Sequence, residues 1–122
     1  MVLIINTITV LILSGNLMGG LAPEAAVMAR LNYLLEANTS IETLDLRWNQ
    51  IGRASEEVMT RFTAALAANK TITKLDLRSN FIGHAPKEVK TQFCGALAAN
   101  KTITDLDLRD NDLESAPEYV SM

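Results

Sequence analysis

"ITKLDLRSNFIG", Ile72 to Gly83, decides how this chain folds, because the chain repeats it with variations. Residues 41–52 read "IETLDLRWNQIG" and residues 103–114 read "ITDLDLRDNDLE". The opening isoleucines fall at Ile8, Ile41, Ile72 and Ile103, which sets periods of 33, 31 and 31 residues. Aligned over their whole length, residues 41–71 and 72–102 share 20 identities in 31 positions. A fixed period of this size is the signature of a repeat architecture.

Each unit divides into two halves. In the first, Leu11, Leu44, Leu75 and Leu106 are followed two residues later by Leu13, Leu46, Leu77 and Leu108. Alternation with polar residues predicts a strand with one buried face. An asparagine comes next in every unit: Asn16, Asn49, Asn80 and Asn111. At a turn, an inward asparagine can bond backbone groups that the strand leaves unpaired. A hydrophobe (Met18, Ile51, Ile82, Leu113) and, in three units, a glycine (Gly19, Gly52, Gly83) complete this half.

The second half predicts a helix, with apolar stripes Val27/Leu31/Leu35, Val58/Phe62/Leu66 and Val89/Phe93/Leu97 at four-residue spacing. Ser55, Pro23 and Pro86, each with acids just after them, suit helix N-termini. Asn38, Asn69 and Asn100 end the helices.

The composite pattern, Ile-x-x-Leu-x-Leu-x-x-Asn-x-Ile-Gly followed by a helix, resembles the leucine-rich repeat of the long, ribonuclease-inhibitor-like subtype. The resemblance implies an α/β solenoid: a curved right-handed superhelix with parallel strands on the concave side and helices on the convex side. It covers residues 1–122 as one domain of about three and a half units, starting at 8, 41, 72 and 103 and uncapped at both ends. It also implies a non-catalytic module that binds a protein through its concave strands and adjoining loops. Similar units occur in innate-immune receptors and in effector-type proteins of intracellular bacteria.

If the leucines point inward, the residues between them point outward. Three columns result: Val10, Thr43, Lys74, Asp105; then Ile12, Asp45, Asp76, Asp107; then Ser14, Arg47, Arg78, Arg109. With parallel strands ~4.8 Å apart, the aspartates stack beside the arginines. Each guanidinium can fork between carboxylates, so the columns read either as a self-satisfied ion lattice or as a binding face. Trp48 is better evidence of binding. It is the single tryptophan, and its counterparts are Gly15, Ser79 and Asp110, so the frame does not require it. Tryptophan and arginine are enriched at interface hot spots. Arg47, Trp48, Arg78 and Phe81 are expected to form one aromatic and cationic patch, unless Trp48 folds over the arginine column by cation–π stacking. The expected partner-binding set is therefore Asp45, Arg47, Trp48, Lys74, Asp76, Arg78, Phe81, Asp107 and Arg109.

Val10, Ile12 and Leu17 place apolar residues at outward positions that are polar in later units. An apolar edge strand seeks another surface. Both chain ends fall inside a unit, with no polar terminal repeat. The chain is expected to be either part of a longer array or self-associating, with a symmetric dimer the simplest homo-oligomer. The alternative to partner capture is thus a structural segment whose main contacts are homotypic.

Composition sets the remaining bounds. The formal charge is −3, with 11 Lys+Arg against 14 Asp+Glu, which argues against nucleic acid as a partner. Cys94 is the one cysteine, so no internal disulfide forms. The apolar start, Met1 to Leu13, lacks a basic n-region and an obvious cleavage site, and is too short to span a bilayer. No membrane partner is expected, and the location implied is intracellular, either cytoplasmic or delivered into a host cytoplasm. His84 is the one histidine, on a loop, and Cys94 lies on a helix without an orienting third group. Neither a catalytic site, a metal site nor a cofactor is expected.

Overall fold

The computed structural model describes residues 8–15 and 22–113, with the backbone alone for 22–26. Leu17, Asn16, Met18 and Gly19 lie outside the described residues. In chain order the elements are β1 (Val10–Ile12), α1 (Ala22–Ala37), β2 (Thr43–Asp45), α2 (Glu56–Ala68), β3 (Lys74–Asp76), α3 (Lys87–Ala99) and β4 (Asp105–Asp107). Short 3-10 turns at Ile51–Arg53 and Ile82–His84 join β2 to α2 and β3 to α3. The repeat pattern did not announce them.

The strands form one parallel sheet in the order β1-β2-β3-β4. Leu11, Leu44, Leu75 and Leu106 stand in one register line, as the 31-residue period requires. The helices stack alongside, α1 on α2 and α2 on α3. The fold is an α/β leucine-rich-repeat solenoid, a sheet on one face and helices on the other.

Between the layers Leu44, Leu46, Leu75, Leu77, Ile51 and Ile82 are buried against Phe62, Phe93, Met28 and Met59. The rings of Phe62 and Phe93 stack with centroids 6.0 Å apart. The same positions in the outer units, Leu11, Leu13, Leu106 and Leu108, are only partly buried. Each repeat covers its neighbour, so a leucine is fully buried only when flanked on both sides. Val27 is exposed although it belongs to the predicted stripe, whereas Met28 beside it is buried.

Two asparagine ladders stitch the stack. At the helix ends Asn69 Oδ1 accepts from the N–H groups of Thr71 (2.9 Å) and Ile72 (2.8 Å), while its Nδ2 donates to Leu35 O of the preceding helix (2.9 Å). Asn38 and Asn100 hold the following N–H groups in the same way. Each side chain closes a helix and starts the next strand, and Asn69 and Asn100 also tie back to the previous unit. At the N-terminus of α2, Ser55 Oγ accepts from Val58 N–H, with Glu56 and Glu57 at the positive end of the helix dipole.

Candidate functional site

The second ladder builds the rim where strands turn into helices. Asn80 Nδ2 donates to the carbonyls of Leu46 (2.8 Å) and Leu77 (3.1 Å), and its Oδ1 accepts from the N–H groups of Asn49 and Ile51. Asn111 repeats the arrangement one unit on. Turning the chain so that this asparagine faces inward forces both of its neighbours into the left-handed region. Trp48 and Gln50, Ser79 and Phe81, and Asp110 and Asp112 all have φ between 56° and 63°. A residue with a Cβ costs roughly 1–2 kcal/mol there. Gly15 takes the seat of Trp48 in the first unit.

The loops also press together. A Cβ at Gly52 would lie 1.8 Å from the carbonyl oxygen of Phe81, and one at Gly83 1.9 Å from that of Asp112. The repeated glycine is a condition of close stacking. Rim residues are therefore held by the backbone in fixed places, and their side chains are free to vary.

On the concave face, the aspartate and arginine columns engage each other. Within each unit Arg47, Arg78 and Arg109, two residues past the strand end, place Nη2 2.7 Å from Oδ2 of Asp45, Asp76 and Asp107 respectively. Arg47 Nε also reaches Asp76 Oδ2 at 3.6 Å, and Arg78 Nε reaches Asp107 Oδ2 at 3.3 Å. Arg109 has no following aspartate among the described residues, and its side chain is 71% exposed against 35% and 32% for Arg47 and Arg78. Burial pushes the Asp45 carboxyl up, but Arg47's hydrogen bonds and charge outweigh it and leave the group below the ordinary carboxylate range. Asp107 is held low chiefly by Arg109's hydrogen bonds.

The expected patch of Arg47, Trp48, Arg78 and Phe81 is not assembled in that form. The arginine heads turn to carboxylates, because a charged bidentate pair outcompetes a ring face. Phe81 is instead covered by Arg53, whose Cζ lies 4.0 Å from the ring centroid, and meets His84 edge-on at 5.4 Å. His84 Nε2 in turn lies 3.0 Å from Asp112 Oδ2. Arg53, His84 and Asp112 thus join the rim, although Arg53 carried no signal beyond aligning with His84. Trp48 is 61% exposed, and among the described residues no cation covers it. Lys74 stands exposed on β3 between Thr43 and Asp105. Val10 and Ile12 are 52% and 64% exposed on β1.

Cys94 is buried, which raises its thiol above the ordinary range, so it rests in the unreactive protonated form. Among the described residues no group of three His, Cys, Asp or Glu side chains could hold a metal ion. None of the described helices is long and apolar enough to cross a membrane.

Known proteins agree with this geometry. A family model described as "Leucine Rich repeat" matches residues 37–53, 68–84 and 99–116. The chain is a leucine-rich-repeat protein, a family whose fold serves generally as a protein-binding scaffold. Two solved structures share the fold. A leucine-rich repeat-containing protein, LegL7 from Legionella pneumophila, superposes with a TM-score of 0.68 at 26% identity, covering 92% of this chain and 32% of that one. Leiomodin-1 actin-binding site 2 superposes with a TM-score of 0.62 at 26% identity, covering 86% of this chain and 55% of that one. This chain therefore spans about a third of the first neighbour and about half of the second. No curated protein sequence matches it significantly.

Proposed function

We propose that this chain is a non-catalytic protein-binding module that engages its partner through the concave face and the strand-to-helix rim, with Trp48 as anchor. The observation that carries this reading is Trp48 itself. A large aromatic ring is held 61% exposed on a left-handed backbone seat that glycine fills in the first unit. Neither folding nor solubility gains from that choice, whereas a rigid exposed indole suits an interface hot spot. Phe81, pinned by Arg53 and His84, extends the surface along the rim, and Lys74 and the aspartate–arginine lattice form its flank.

The 31-residue period, with a full helix in each of the first three units, supports the long, ribonuclease-inhibitor-like subtype. The neighbour from Legionella pneumophila supports an effector-like setting, with action in a cytoplasm, over an immune receptor. The leiomodin-1 neighbour is an actin-binding site, which makes actin a first partner to test by co-sedimentation with filaments.

The single tryptophan is its own reporter. A true partner shifts and quenches its emission, and Trp48→Gly abolishes capture of that partner while the thermal unfolding midpoint stays within a few degrees. Retained capture by this variant overturns the reading.

A second reading rests on Val10 and Ile12, exposed on β1. Burying them between two copies would make a homo-oligomer. Sedimentation at tens of micromolar tests it: wild type should exceed the monomer mass, and Val10→Lys with Ile12→Lys should return it to monomer. A monomeric wild type removes this reading.

A further inference from the structure

The four units present the same outward columns but fill them in a graded order. Val10, Thr43, Lys74 and Asp105 stand in one register line, and Ile12, Asp45, Asp76 and Asp107 in the next. Residues 8–15 carry no charge, whereas Ile103 to Leu113 carry Asp105, Asp107, Asp110 and Asp112 against Arg109 alone. The rim follows the same order, from Trp48 through Ser79 to Asp110. One groove of about 270 Å³ connects the two ends, lined by Val10 and Ile12 at one and by Asp105 and Asp107 at the other.

The carboxylates differ in what they have left to offer. Asp107 is engaged by Arg109 and Arg78, and Asp112 by His84. Asp105 and Asp110 have no ion-paired side-chain partner among the described residues; Lys74 faces Asp105 across the register without coming within ion-pair distance. At the apolar end Val10, Ile12 and Trp48 are each more than half exposed.

We propose that this groove receives one extended segment of a protein partner in a fixed orientation. Apolar side chains of the segment sit over Val10 and Ile12, toward the unit that carries Trp48, and a lysine or arginine sits over Asp105, with Asp110 adding negative charge on the same unit's rim. The inference rests on the protein-binding reading and adds the chemistry and polarity of the ligand. Three strand spacings of ~4.8 Å separate the ends, ~14 Å in all, which an extended chain at ~3.3 Å per residue crosses in about four residues. The apolar contact supplies affinity and the charge supplies direction, since the reversed pose sets the segment's cation over uncharged residues 8–15 and its apolar side chains over Asp105.

The test uses three ten-residue peptides titrated into the whole chain by calorimetry. One carries Phe-Leu and, four residues on, Lys-Lys; the second replaces Lys-Lys by Glu-Glu; the third replaces Phe-Leu by Ser-Ser. The first is expected to bind at least tenfold more tightly than either control. Asp105→Lys with Asp110→Lys should invert the preference toward the Glu-Glu peptide, and Lys74→Ala should strengthen the first peptide further. A photo-crosslinker at the Phe end should label Val10, Ile12 or Trp48 and spare β4. Equal affinity for the three peptides, binding of none, or crosslinking of the Phe end to β4 overturns the proposal. So does self-association through Val10 and Ile12 that Asp105→Lys leaves unchanged. If Trp48→Gly abolishes capture of a natural partner while the peptides show no preference, protein binding stands and the polarity falls. If Trp48→Gly captures as wild type does, the broader reading falls with it.

Discussion

Asn49 and Trp48 are adjacent in the chain and opposite in what constrains them. Asn49 is wholly buried, and its Nδ2 donates to Leu13, Leu46 and Arg47 carbonyls, while every unit at this position has asparagine. Trp48 lies in the solvent, in a backbone seat that suits it poorly, and no two units agree on its position. The asparagine ladder shows what the fold requires. The rim shows what it merely tolerates, and a costly side chain there is one that the frame does not ask for.

Breaking the ladder should have the largest effect. Asn80→Ala strands the N–H groups of Asn49 and Ile51 in a buried place, while the carbonyls of Leu46 and Leu77 keep the Nδ2 groups of Asn49 and Asn111 as donors. At ~1–3 kcal/mol for each orphaned group that water cannot reach, a loss of about 3–5 kcal/mol is expected. Thermal unfolding followed by circular dichroism should show a fall of more than ~10 °C; a fall of under ~3 °C would mean that water replaces the ladder. Gly83→Ala comes next, since its Cβ meets the Asp112 carbonyl and the loops must part. A cost of about 1–3 kcal/mol is typical of overpacking, and a chemical denaturation midpoint equal to wild type would contradict the stacking.

Trp48→Gly should be nearly neutral, or stabilising by up to about 1 kcal/mol, because relief of the left-handed seat exceeds glycine's added chain entropy. A clear destabilisation would show that the indole packs onto the frame, which would dissolve the contrast with Asn49.

The smallest effect is electrostatic. Asp45 and Asp107 titrate below their unfolded values, so their contribution is fully present above about pH 4 and is lost as the pH falls through the lower folded values. The Asp45→Asn, Asp107→Asn double variant should therefore lose less stability than wild type between pH 5 and pH 2. Parallel pH profiles for the two proteins would count against the lattice.

Much of the frame was legible without coordinates. Leu44 and Leu46 read as inward, Asn69 as a helix end and Ser55 as a helix start, because each rests on local periodicity or capping chemistry. The aspartate–arginine pairing was also legible, since identical units stacked in register bring identical columns together. The partners of the aromatics were not. Arg53 reaches Phe81 across a whole unit, and the left-handed seats on both sides of each asparagine follow from where its side chain must point. Nor did the pattern separate Val27, which is exposed, from Met28, which is buried.

The sequence by itself determined the repeat, the parallel register and the residues on which units disagree, because a period of 31 residues maps directly onto stacked strands. The tertiary structure alone decided which of the outward charges are already taken and which are left over. Ion pairing, cation–π covering and loop contact depend on distances between side chains from different units. That is why Arg47 turned to aspartate and Phe81 to Arg53, while Trp48, Asp105 and Asp110 have no cation–π or ion-pair partner among the described residues.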